Sequence, residues 1–169
     1  MALLKIVKHG DPVLRRKCAP IQQIDKGILE LIDNMFETMY DAPGIGLAAN
    51  QVGIPLRLAV IDIQENGKKT PLVIINPKIV ELKGSLFEEE GCLSIPRFLS
   101  KVKRYASTKV EALNEKGFPV TLTGEGLLSR AFQHETDHLN GKFFVDRVSL
   151  FKRLRMYNAI RRYKKIHPW

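Results

Sequence analysis

The residues most able to do chemistry lie together in His134-Glu135-Thr136-Asp137-His138. A helix turns once in 3.6 residues, so two histidines four apart project from one face, with ring nitrogens able to meet at a single ion. Glu135 would sit about 100° further round the helix. It is poorly placed to join the pair as a ligand but can reach a water on the open side of the metal. A metal lowers the pKa of such a water to about 7, and a nearby carboxylate can accept its proton. The competing reading is an ordinary polar helix with two surface histidines. Two of the chain's four histidines fall at this spacing around a Glu, which argues against it.

A catalytic site of this kind takes three protein ligands. One protease class continues as His-x-x-Gly-x-x-His; Gly141 is present here, but Phe144 stands where the last His would. Another takes a downstream Glu, yet no Glu follows Glu135, and Asp146 is the only acidic residue beyond His138. The third ligand is therefore Asp146 or lies upstream. The best upstream candidate is Cys92 in Glu90-Gly91-Cys92-Leu93-Ser94, since thiolates suit borderline metals and Gly91 lets the backbone approach. On spacing alone Cys92 could equally be a buried structural thiol. Cys18, between Arg16-Lys17 and Ala19-Pro20, reads as a small buried hydrophobe. A third segment, Gly44-Ile45-Gly46-Leu47-Ala48-Ala49-Asn50-Gln51, suits a tight turn. No Lys-Ser/Thr pair follows, so it is a weak phosphate loop. Gln51 is either an amide donor to a reaction centre or a surface residue.

The elements that must position these groups follow from periodicity. Ile28, Leu31, Ile32, Met35 and Met39 predict an amphipathic helix from Asp25, as N-cap, to about Tyr40, stopped by Pro43-Gly44. Residues 56–63 and 72–75 read as strands, and 102–113 with 118–122 as a hairpin around Asn114-Glu115-Lys116-Gly117. Residues 126–140 and 149–166 read as helices, the second with Leu150, Leu154, Tyr157 and Ile160 as the apolar stripe that packs on the domain. A helix, a block of strands and two helices predict an α+β fold. Its mostly antiparallel strands would pack around the central His134–His138 helix, with a further C-terminal helix. One catalytic unit is expected over 1–148, with a basic helix over 149–169 packed on it.

Composition narrows the class. The chain has 169 residues, 44% apolar and 27% charged, which suits one globular core and excludes a disordered chain. No apolar run approaches the ~20 residues of a membrane span. Two cysteines are too few for a disulfide framework. No signal-peptide layout opens the chain, so the cytoplasm is the expected compartment. Of the +9 net charge, seven come from Lys152, Arg153, Arg155, Arg161, Arg162, Lys164 and Lys165, leaving +2 for the rest. That tail reads either as a solvated face or as a surface for RNA phosphates.

Taken together, Gly44 to Gln51, Glu90 to Ser94 and Gln133 to Gly141 resemble the peptide deformylase family. That family is marked by Gly-x-Gly-Leu-Ala-Ala-x-Gln, Glu-Gly-Cys-Leu-Ser and Gln-His-Glu-x-Asp-His-Leu-x-Gly. Asp11-Pro12-Val13-Leu14-Arg15 is similar to its opening. The resemblance implies that Cys92, His134 and His138 hold a divalent ion, Fe²⁺ natively, with Ni²⁺, Co²⁺ or Zn²⁺ able to substitute. It implies removal of the formyl group from N-formylmethionine of new polypeptides. Glu135 would move the proton, while Gln51 and the Leu93 N–H stabilise the oxyanion. The peptide would pair near Ile45, Gly46 and Gly91, its methionine entering a pocket partly lined by Leu127, Arg130 and Ala131. Arg130 departs from an apolar lining, and Leu99 stands where many members carry an Arg, with Arg97 a possible replacement. Because the substrate exists as chains emerge, the basic helix reads either as a docking surface for ribosomal RNA or as a solvated face. The rivals are a small zinc peptidase using Asp146 and a non-catalytic RNA-binding module.

Overall fold

The structure, a computed structural model, describes residues 2–167, with Asn66 described in its backbone alone. α1 (Lys26–Asp41) starts where expected, because the Asp25 carboxylate accepts from the Ile28 N–H at 2.9 Å. Five strands form one antiparallel sheet: β1 (Gly46–Ala48), β2 (Leu58–Ile61), β3 (Leu72–Lys83), β6 (Ser107–Leu113) and β7 (Pro119–Glu125), in the spatial order β1-β2-β3-β6-β7. β4 (Leu86–Cys92) and β5 (Ile95–Arg104) make a separate antiparallel pair. α2 (Gly126–Leu139) and α3 (Leu150–Ile166) complete the fold.

The larger sheet lies between α1 and α2 because its central strands are apolar on both faces. Side chains alternate along a strand. Leu58 and Val60 accordingly join Met35 and Met39 of α1, while Ala59 and Ile61 join Ala131 and Phe132 of α2. β2 is buried at every position. A third cluster of Leu14, Ile95, Val102, Phe143, Phe144, Val145 and Ile160 ties the N-terminal segment, β5 and α3 together. The N-terminal segment also bridges two of the sequence motifs. The Val7 N–H donates to Gln51 O at 2.7 Å, and the His9 N–H to Ser94 O at 2.8 Å.

Three departures from periodicity have physical causes. The apolar stretch 102–113 is two strands in different sheets. It breaks at Tyr105, whose N–H and carbonyl are bonded by the Gln133 side-chain amide (3.0 and 2.9 Å) in place of a strand partner. β4 escaped notice because three consecutive Glu residues mask its extended pattern. In α3 the inward stripe runs through Arg153, Met156, Tyr157, Ile160 and Tyr163, and only Ile160 is fully buried. Leu150 and Leu154, expected in that stripe, are 62% and 55% exposed. Leu154 lies six residues from Ile160, about 120° away round the helix.

Candidate metal centre

α2 is buried on nearly every side, yet Gln133, Glu135, Thr136, Asp137 and His138 are polar. Such a helix is stable only if its polar groups find partners. Gln133 bonds Tyr105, Thr108 and Ser129. Its end is set by Gly141 at φ +70°, where a Cβ would collide with the Arg15 carbonyl. On this rigid support the rings of His134 and His138 meet edge-on, 4.8 Å between centroids, with their Nε2 atoms 3.1 Å apart.

Cys92 Sγ lies 3.2 Å from His138 Nε2, and the three donor atoms all fall within 4.8 Å of one another. Tetrahedral bonds of ~2.1 Å to nitrogen and ~2.3 Å to sulfur would set donors about 3.5 Å apart. The cluster therefore suits a divalent cation. Cys92 is held where β4 turns into β5, and its sulfur accepts from the Ser94 N–H and from Gln51 Nε2, each at 3.4 Å.

A buried carboxylate orients the first histidine. Glu90 Oε2 lies 3.1 Å from His134 Nδ1, and Arg104 clasps the same carboxylate through Nε (2.7 Å) and Nη2 (3.0 Å). Burial pushes the Glu90 carboxyl up, but His134 and Arg104 outweigh that and hold it down at about 2. Glu90 is thus an acceptor only, so His134 donates from Nδ1 and turns the Nε2 lone pair toward Cys92 and His138. Arg104 Nη1 also bonds Asp137 Oδ2 at 2.6 Å, and Arg147 bonds both oxygens of Asp137. One guanidinium thereby links the β4 segment bearing Cys92 to the helix bearing both histidines.

Cys92 and His134 line a cavity of about 530 Å³, with His138 fully buried beside them; its walls also include Lys8, Ile45, Gly46, Gln51, Gly91, Leu93, Arg97, Arg130, Ala131 and Glu135. Gln51 is 2% exposed, which rules out the surface reading. Its Oε1 accepts from the Ala48 N–H at 2.9 Å, so the amide nitrogen faces Cys92. Glu135 lies against Gly46, where any Cβ would strike its carboxylate. Burial raises the Glu135 carboxyl to about 7 against the pull of His134, and Oε2 has no hydrogen-bond partner among the described residues. A buried carboxylate oxygen left so beside three converging donors fits a site that receives an ion and a water.

The family model described as polypeptide deformylase matches residues 3–154. The chain belongs to the polypeptide deformylase family. It is 49% identical over 166 residues to a peptide deformylase of Cellvibrio japonicus, covering 98% of each chain. A peptide deformylase of Clostridium acetobutylicum is 52% identical over 149 residues, covering 88% of this chain and 97% of its own. The crystal structure of a peptide deformylase from Legionella pneumophila superposes with a TM-score of 0.90 at 45% identity, over 98% of this chain and 97% of that one. Deformylases are metal-dependent hydrolases that remove the formyl group from N-formylmethionine at the start of polypeptides, so the peptidase and non-catalytic readings fall away. Cys92, His134 and His138 form the group suited to the divalent metal.

The remaining sequence candidates divide clearly. Asp146, the rival ligand, is instead bonded to Arg15, Tyr157 and the Phe143 N–H, and is not part of the donor cluster. Cys18 is buried in the α2 core, where burial pushes its thiol up to about 11. Leu93 lies in the cavity wall with its carbonyl taken by Lys8 Nζ at 2.8 Å. Arg130 lines the cavity and carries its charge to Glu88 Oε2 (2.8 Å) and Glu89 O (3.1 Å). Arg97 also lines the cavity, at φ +70°. Leu127 is half-buried and is not among the lining residues. Sequence reading missed the roles of Glu90, Arg104, Asp137 and Lys8. Arg104 had a signal, because with Ser100 and Val102 it completes an inward period-two row on β5 that ends in a charge.

Proposed function

We propose that the cavity hydrolyses the formyl group with Fe²⁺ held by Cys92, His134 and His138, and that Ni²⁺, Co²⁺ or Zn²⁺ can replace it. A mixed thiolate and imidazole set suits these borderline ions, and the family resemblance favours iron. When bound, the ion supplies Lewis acidity that makes a water nucleophilic near neutral pH. Glu135 takes the proton of that water on Oε2 and passes it to the departing amine. Gln51 Nε2 and the Leu93 N–H stabilise the oxyanion, Gln51 being aimed by its bond from Ala48.

The peptide lies extended between two strand edges. β1 ends the large sheet with one free edge, and Gly91 of β4 stands in the opposite wall at a break in register. Backbone pairing with Ile45, Gly46 and Gly91 accepts any downstream sequence. The methionine side chain packs against Ala131 and the aliphatic stem of Arg130. The substrates are nascent chains in the cytoplasm. Arg161, Arg162 and Lys165, all exposed on α3, dock the enzyme on ribosomal RNA. Replacing the three by Gln should weaken ribosome co-sedimentation and its salt dependence; unchanged binding would remove docking from the account.

The observation that carries the catalytic reading is the convergence of the three donors, two of which, Cys92 and His134, line one cavity with Glu135 and Gln51. Formate release from formyl-Met-Ala-Ser by the metal-loaded protein tests it. Glu135→Gln should keep the metal and lose activity by ~10²–10⁴-fold. A metal-replete variant with undiminished turnover would refute Glu135 as the proton carrier.

A further inference from the structure

Beside the metal cavity, β5 and the flank of α3 enclose a second concavity. Its walls are Phe98 and Leu99 from β5 and Phe151, Lys152, Arg155 and Met156 from α3. Leu99 and Phe151 are 59% and 73% exposed, so apolar surface remains uncovered where strand and helix meet. Lys152 and Arg155 add positive charge, and neither has a carboxylate partner among the described residues.

The groove is continuous with the reaction site. Leu99 lies against Gly91, where an added Cβ would meet its Cδ2 at 2.7 Å. Gly91 and Arg97 belong to the cavity wall, while Phe98 and Leu99 belong to the groove. The run Arg97-Phe98-Leu99 is thus a rim shared by both. A chain leaving the cavity past Gly91 crosses Leu99 and meets the groove without leaving the surface.

We infer that this groove binds the substrate polypeptide downstream of its methionine. It seats an apolar side chain between Leu99 and Phe151 and favours an acidic neighbour facing Lys152 and Arg155. The inference rests on the deformylase reading of the cavity. Residues from about the fourth to the eighth fall within its reach, roughly 10–25 Å at 3.3 Å per residue. Backbone pairing in the cavity leaves the reaction general, and the groove adds affinity for chains that already present an apolar residue at that distance.

The test uses the full-length, metal-loaded enzyme with ten-residue formyl-Met peptides. One Leu is moved along a Ser-Gly background, with or without an adjacent Asp, and formyl-Met-Ala-Ser serves as the short reference. Wild type should show KM lowered about fivefold at the favoured Leu position, what half-burying a leucine is worth, with kcat unchanged. Phe151→Ser should erase that gain, and Arg155→Glu should erase the Asp preference. Both variants should match wild type on formyl-Met-Ala-Ser, since both residues are exposed and outside the cavity wall. A wild-type KM blind to Leu position, or a gain that survives Phe151→Ser, overturns the inference. So does a Phe151→Ser variant that changes only self-association, which would assign the groove to a second copy. Absence of formate from formyl-Met-Ala-Ser would instead sink the deformylase reading itself.

Discussion

Replacing Glu90 by Gln isolates the part of the metal centre that touches no substrate. The wild-type carboxylate accepts three bonds, from His134 Nδ1 and from Arg104 Nε and Nη2, at 3.1, 2.7 and 3.0 Å. Gln offers one oxygen and one amide nitrogen, so at least one of those donors must face another donor. If the oxygen turns to Arg104, His134 loses the acceptor that fixes its tautomer. If it turns to His134 it also keeps Arg104 Nη2, which shares that oxygen, and the buried Arg104 Nε–H is left facing the amide nitrogen. Loss of such an outer carboxylate typically costs ~10–100-fold in metal affinity, or about 1.4–2.8 kcal/mol of binding. The unpaired buried donor adds a stability loss of about 1–3 kcal/mol. Chelator competition on the folded variant measures the first, and a denaturant melt of the metal-free protein the second. Wild-type metal affinity in a destabilised variant would show that Glu90 braces the fold and does not orient His134.

Cys92→Ala should abolish tight metal binding, whereas Cys18→Ala should leave metal content and rate nearly unchanged; equal metal loss in both would refute the ligand assignment. Gln51→Leu should lower kcat by ~10²–10³-fold with metal retained, and should lower the melting temperature because the buried Ala48 N–H loses its acceptor. A raised KM with unchanged kcat would place Gln51 in ground-state binding instead. Asp62 is buried; burial pushes its carboxyl up, but bonds from Tyr40 and the Thr70 and Gln64 N–H groups outweigh this and hold it below its usual value. A group depressed in the folded state stabilises above its unfolded pKa of about 3.9 and loses that contribution as pH falls through the folded value. Asp62→Asn should therefore be less stable at neutral pH and flatten the acid limb below about pH 4, which melts across pH 2–7 would read; an unchanged acid limb would contradict it.

Much of the site was legible because its chemistry needs fixed spacing. His134, Glu135 and His138 follow from one turn of helix, and α1, the β6–β7 hairpin, α2 and α3 follow from apolar period and caps. Cys92 was different. Spacing left it level with a structural thiol, and the resemblance chose it; the 3.2 Å approach to His138 supplies the geometry. What remained illegible involves groups whose partners are distant in sequence. Nothing local in Gln133 announces that it replaces strand pairing at Tyr105, 28 residues away. Arg104 likewise sits between Glu90 and Asp137, 14 and 33 residues off. The inward stripe of α3 was misplaced because the helix is mostly exposed, so packing at Ile160, and not amphipathic contrast, sets its rotation.

The same distant contacts explain why a polar helix can be both buried and stiff. A charge pair removed from water is costly unless geometry is good and every remaining lone pair is used. Arg104 meets that condition with bonds to two carboxylates, and each of those carboxylates has a second partner, His134 or Arg147. Breaking any member leaves an uncompensated buried charge, so the three segments hold one arrangement. The N-terminal segment adds backbone bonds to Gln51 and Ser94, which fixes the Gln51 amide relative to the Cys92 sulfur. Catalysis by positioned charge requires that groups do not reorganise as charge develops. The buried network and the bonded loops supply that rigidity around Cys92, His134 and His138.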